Sequence, residues 1–144
     1  MVNTQPCAIS ELPKHMPRPT LLVAEPEPEQ ALSVRKLVLE TGKFNVLTAH
    51  SNREALDIFH QFPNLSAAIL VGDSDIDCND LGKHIKSAAN KIPIIYLHPS
   101  IGGRCASADH HLSSHEPELL LDLVRSLLGD PRSNEHDLTI KNAS

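Results

Sequence analysis

The chain has 144 residues, 40% of them hydrophobic, a net charge of −5 and no basic run. That length suits one ordinary core and argues against a second domain of similar size, and the acidic balance offers no electrostatic footprint for a phosphate backbone, so nucleic-acid binding is disfavoured. No apolar run approaches the roughly 20 residues that span a bilayer, and MVNTQPCAISELPKHMPRP lacks a signal peptide's hydrophobic centre, so the expectation is a cytoplasmic protein without a membrane partner. Cys7, Cys78 and Cys105 are odd in number, far apart and outside any C-x-x-C spacing, and are read as reduced thiols.

Residues 1–18 hold three prolines and no periodicity, and residues 130–144 are polar, so both read as flexible tails around a folded unit at 19–129. The unit begins with Thr20 to Ala24, an apolar run typical of a strand buried on both faces, which stops at Glu25-Pro26. A helix is expected from about Pro28, with Ala31, Val34, Leu37 and Val38 at helical spacing and Gly42 as a left-handed C-cap. Phe44 to Ala49 makes a second strand. Ser51-Asn52-Arg53-Glu54 then forms a capping box, and the helix it opens buries Ala55, Ile58, Phe59 and Phe62 before Pro63 ends it.

Ala67 to Val71 is a third apolar strand running into Gly72-Asp73-Ser74-Asp75-Ile76-Asp77, so acid again follows a strand's C-terminal end. A helix over Asn79 to Ala89 turns Leu81, Ile85, Ala88 and Ala89 inward, and Pro93 to Leu97 gives a fourth strand closed by His98-Pro99. Gly102-Gly103 allows only a brief fourth helix over Ile101 to Ala108. A fifth strand lies near His110-His111-Leu112. The last helix has Pro117 in its first turn, a stripe of Leu120, Val124, Leu127 and Leu128, and Gly129 at its C-cap.

Alternating strands and helices with right-handed crossovers give an α/β, flavodoxin-like, doubly wound five-stranded parallel sheet in the order 2-1-3-4-5, with a shortened fourth helix. In that order a crevice opens where the winding reverses, at the C-terminal ends of the first and third strands, and Glu25 and Asp73 would line it. The elements TLLVAEPEPEQ, HSNREALDIF, AAILVGDSDID, IPIIYLHPS and EPELLLDLV together resemble the receiver domain of bacterial response regulators across nearly all of 19–129.

In that family an acidic pair after strand one and an aspartate after strand three bind Mg²⁺, and the aspartate takes a phosphoryl group from a phosphohistidine. A lysine after strand five neutralises phosphoryl charge, and a small hydroxyl residue after strand four senses the product. The resemblance maps the acidic pair to Ala24-Glu25, so one carboxylate is a methyl group. The acceptor falls on Val71 by strand pattern or Gly72 by helix spacing, leaving Asp73 as the nearest carboxylate and the phosphoacceptor candidate, with Glu25 and Asp73 the metal candidates. The lysine position falls on Ser113 or Ser114, with no lysine between Lys91 and Lys141. The hydroxyl sensor corresponds to His98, and the switch aromatic on strand five to His111 or His110.

Losing an acid and the lysine removes two sources of charge neutralisation, so conventional aspartyl phosphorylation is expected to fail. The resemblance therefore implies a degenerate, stand-alone receiver (a pseudo-receiver) that is not an enzyme, requires no cofactor, and acts in a phosphorelay or related pathway by contact with a histidine kinase or an effector. The alternative is a phosphoacceptor using Asp73 with Glu25 and Mg²⁺. His98, His110, His111 and His115, with Cys105 nearby, are candidate metal ligands by type, but no H-x-x-x-H on a helix and no C-x-x-C supports them, and adjacent strand residues point to opposite faces. Cys105 has no evident activating base, no G-x-S-x-G elbow is present, and Glu25-Pro26-Glu27-Pro28 opposes a phosphate loop for a flavin or nucleotide.

Overall fold

The computed structural model describes residues 18–27, 33–73, 75–89, 91–99 and 104–132. Five strands, β1 (Thr20–Ala24), β2 (Asn45–Ala49), β3 (Ala67–Val71), β4 (Ile94–His98) and β5 (His110–Ser113), form one parallel sheet in the order β2-β1-β3-β4-β5. Among the described residues four helices cover it: α1 (Val34–Thr41), α2 (Asn52–Gln61), α3 (Cys78–Ala88) and α4 (Pro117–Leu128).

The runs that read as apolar throughout are the central strands, because a strand with helices on both sides has no wet face. Every residue of β3 is buried, as are four of the five in β1. One core contains Leu22, Leu70, Ile94 and Tyr96 with Ala55 and Phe59 of α2 and Leu81 and Ile85 of α3. The other contains Leu21, Val23, Ile69 and Leu97 with Leu39 of α1 and Leu120 and Val124 of α4.

The helix boundaries follow their capping chemistry. Ser51 Oγ accepts from the Glu54 N–H at 3.1 Å, while the Glu54 carboxylate reaches one residue further back than expected, to the N–H of His50 at 2.7 Å. α4 has Pro117 in its first turn and Gly129 at φ 89° beyond its end, where a side chain would be strained.

Several readings need correction, and Phe62, Ala88 and Leu127, expected on buried faces, are exposed. Val34 and Leu37 of α1 are exposed and Leu39 is buried, so the inner face runs through Arg35, Leu39 and Gly42 rather than the apolar stripe. Gly42 has φ −75°, and the left-handed residue is Lys43 at 75°. A Cβ on Gly42 would lie 2.7 Å from Leu121 Cδ1, so glycine serves the approach of α1 to α4 rather than a turn. The brief helix between β4 and β5 has no counterpart at 104–109, and residues 100–103 lie outside the described set. The early turns proposed from Pro28 also fall outside it, at 28–32.

Candidate functional site

The C-terminal ends of β1, β3, β4 and β5 converge on the end of the sheet where ligands of doubly wound folds bind. Glu25 follows β1 directly. Its N–H continues the ladder to the Ala49 carbonyl at 2.9 Å, and its carbonyl oxygen lies 3.1 Å from His50 Nδ1. The side chain is only 1% exposed, which would be costly for a carboxylate without a counter-charge.

The counter-charge is Arg35. Its Nε donates to Glu25 Oε1 at 2.7 Å, and its Nη1 donates to the Ser114 carbonyl at 3.3 Å. One guanidinium from α1 thus joins the end of β1 to the turn after β5. Arg35 carries no sequence signal beyond its place four and seven residues from the other inner positions of α1, because a lone cation in a polar helix reads as solvated. Glu25 Oε2 makes no hydrogen bond to protein.

At the end of β3, the Gly72 N–H donates to the Leu97 carbonyl at 3.0 Å, continuing the ladder to β4. The space a side chain at 72 would need is filled by Tyr96. A Cβ there would overlap the tyrosine hydroxyl and lie 3.0 Å from both Cε1 and Cζ. The acceptor position reached by helix spacing is therefore closed by an aromatic ring from the neighbouring strand. Tyr96 is the chain's one tyrosine, set in an otherwise aliphatic strand beside the strand that ends in glycine, and that reciprocal size change was the available signal.

Asp73 is exposed, and its Oδ2 accepts from the Asp75 N–H at 3.3 Å, so it braces its own loop. It lines an open cleft of about 450 Å³ with Asp77, Cys78, Asn79, Tyr96 and Arg104, whereas Glu25 and Arg35 are not part of the lining. The two carboxylates are thus differently engaged: one holds a guanidinium, the other a loop N–H. Among the described residues no three His, Cys, Asp or Glu side chains form a metal-holding group. Mg²⁺ takes carboxylate oxygens in a strict octahedron, and a guanidinium bonded to Glu25 does not fit such a site.

The remaining candidates serve local structure. Ser114 N–H donates to the His98 carbonyl at 3.0 Å, and Ser113 Oγ accepts from the His115 N–H at 3.3 Å. The His111 ring stands edge-on to Tyr96, with centroids 5.8 Å apart. Its Nε2 lies 3.2 Å from the Cys105 nitrogen and 3.1 Å from the Cys105 oxygen, so the tautomer selects which of the two it engages.

The reduced-thiol reading is overturned for two of the three cysteines: Cys78 and Cys105 are disulfide-bonded across 27 residues, with Cα atoms 5.9 Å apart. Odd count and wide spacing concealed the pair because the fold, not the sequence, makes them neighbours. Cys78 is the first residue of α3, and residues 104–109 pass beside that helix. The Ala106 N–H donates to Asn79 Oδ1 at 2.9 Å, and Ser107 sits against Gly82, where a Cβ would be 2.6 Å from Ser107 Cβ. The bond fastens this connection over the core where a fourth helix was expected.

No protein-family model and no curated protein matches the chain. Solved structures do. A putative response regulator from Chloroflexus aurantiacus is 24% identical with a TM-score of 0.66, covering 78% of this chain and 98% of that one. TrrA from Thermotoga maritima, a response regulator solved in complex with Mg²⁺-BeF, is 24% identical at 0.63, covering 76% and 99%. A two-component response regulator from Clostridium difficile is 19% identical at 0.65, covering 77% and 96%. The fold is that of response-regulator receiver domains.

Proposed function

We propose, taking the receiver fold as premise, that this chain is a receiver-like module of two-component or related signalling that acts by protein contact without conventional aspartyl phosphorylation. The observation that carries this reading is the Tyr96 ring in the space beside Gly72, which leaves no room for an acceptor carboxylate at that position. The Arg35–Glu25 pair supports it, since an internal cation neutralises the remaining acid that a metal would need.

The receiver-like unit spans 19–129, resides in the cytoplasm, catalyses no reaction, and binds neither nucleic acid nor membrane. Among the described residues no helix is long and apolar enough to cross a bilayer. Its partner is a histidine kinase or a downstream effector, docking on β5 and its flanking helices. Charge loss across the site lowers Mg²⁺ affinity and leaves the switch positions at His98, His111, Ser113 and Ser114 without a phosphoryl group to sense.

The test is incubation with an acyl phosphate and Mg²⁺ followed by intact-mass measurement, in parallel with Asp73→Ala. The expected result is no phosphoryl mass gain in either protein. Stable labelling of the native chain that disappears in Asp73→Ala overturns the proposal and establishes Asp73 as an acceptor.

A further inference from the structure

We propose that the Cys78–Cys105 bond is a reversible thiol–disulfide exchange site, attacked at Cys78 from the cleft by a dithiol reductant. The inference rests on the cytoplasmic reading above: disulfides that form in reducing compartments are usually transient, catalytic or redox-sensing. It also rests on three features of the pair.

The first is access. Cys78 is 6% exposed and lines the cleft, whereas Cys105 is 1% exposed and is not among the lining residues. Among the described residues Cys78 is thus the member of the pair that borders the cleft. The second is position. Cys78 opens an 11-residue helix, where unpaired N–H groups and the helix dipole stabilise a thiolate, although Asp77 and Asp80 beside it moderate the effect. The third is coupling. The Cys105 backbone meets His111 Nε2, His111 meets the Tyr96 ring, and Tyr96 fills the space at Gly72, so the backbone that carries one end of the bond is linked through two rings to position 72.

The chemistry balances with a dithiol as the two-electron donor. One thiolate of the reductant attacks Cys78 Sγ, the Cys78–Cys105 bond breaks, and Cys105 leaves as a thiolate that takes a proton from solvent. The second thiol, deprotonated, attacks the reductant sulfur of the mixed disulfide and expels Cys78 as a thiolate at the start of α3. The reductant departs as a disulfide, and the protein holds two thiols. Residues 104–109 then depend on Asn79, the Gly82 contact and His111 to stay against α3.

The test begins with the native chain, equilibrated without denaturant in mixtures of reduced and oxidised dithiothreitol, acid-quenched and alkylated in denaturant. The expected result is one reversible two-electron transition, from one alkylated cysteine to three, with the fold retained by circular dichroism. On reduction, hydrogen exchange at the amides of Ala106 and Ala108 accelerates at least ten-fold. In a Cys7→Ser background, the Cys105→Ser variant reacts with dipyridyl disulfide at least ten-fold faster than the Cys78→Ser variant.

A pair that resists dithiothreitol until the chain is denatured overturns the proposal and marks a structural staple. So does a pair that never closes under oxidised dithiothreitol, or a Cys105 as reactive as Cys78. The titration of the native chain needs no variant to fold. It is also independent of acyl phosphate labelling, so failure of the signalling reading and failure of this one are separately visible.

Discussion

Replacing Arg35 by methionine keeps the length of the side chain and removes its charge, which isolates the contribution of the guanidinium. In the native chain Arg35 supplies the 2.7 Å bond to a carboxylate that is 1% exposed, and a second bond to the Ser114 carbonyl. Removing one partner of a buried ion pair costs about 3–5 kcal/mol, because the other charge is left desolvated. Arg35 is itself 23% exposed, so water can enter where it was and partly hydrate Glu25, which places the expected loss near the lower end, at about 3 kcal/mol. For a domain of this size that is a fall in Tm of roughly 12 °C. The double variant Glu25→Leu with Arg35→Met removes both charges, and should return to within about 1 kcal/mol of the native protein. Urea unfolding of these three proteins and of the single variant Glu25→Leu at neutral pH gives the full cycle. A loss below about 1 kcal/mol in Arg35→Met would show that Glu25 is hydrated in solution, and would remove the internal-cation account of the site.

Three further expectations follow from packing and charge. Gly72→Asp should cost about 1–3 kcal/mol by overpacking against Tyr96, and pairing it with Tyr96→Leu should recover most of that loss in thermal unfolding. Gly82→Ala gains about 1 kcal/mol of helix propensity but meets Ser107, so it should stabilise only when Ser107→Gly accompanies it, as read by urea midpoints. Burial opposes the charge on Asp109, but hydrogen bonds from Lys86 (2.7 Å) and the Ile94 N–H (2.8 Å) and the lysine's charge outweigh it, holding the carboxyl below its ordinary 3.8. A depressed folded-state pKa means stability that is present above 3.8 and lost as pH falls through the lower folded value. Asp109→Asn should therefore cost roughly 0.5–1 kcal/mol at neutral pH, since the pair is partly exposed, and the gap to the native protein should close below about pH 3.8 in acid titrations of unfolding.

The sheet was legible because burial on both faces leaves an uninterrupted record: β1 and β3 carry no polar residue between Leu21 and Ala24 or between Ala67 and Val71. The ends of α2 and α4 were legible for a similarly local reason, a capping serine and a proline–glycine pair whose backbone requirements involve only near neighbours. The inner face of α1 was not. Helical spacing ranks faces by hydrophobicity, and here the inward face carries Arg35 because a buried acid lies opposite, a fact belonging to another element. The site failed to show for the same reason. Glycine at 72 reads as a missing side chain until the ring of Tyr96 is placed beside it, and two cysteines 27 residues apart read as thiols until the turn before β5 is laid on α3.

The fit between Gly72 and Tyr96 also bears on how such a chain can change over generations. A carboxylate arriving at 72 meets an aromatic ring, and a smaller residue arriving at 96 leaves an unfilled space beside glycine, so either single replacement passes through a less stable protein. The two positions act as a ratchet. With both set, a carboxylate at 72 is reached only through a less stable intermediate, a valley that stability selection tends to close.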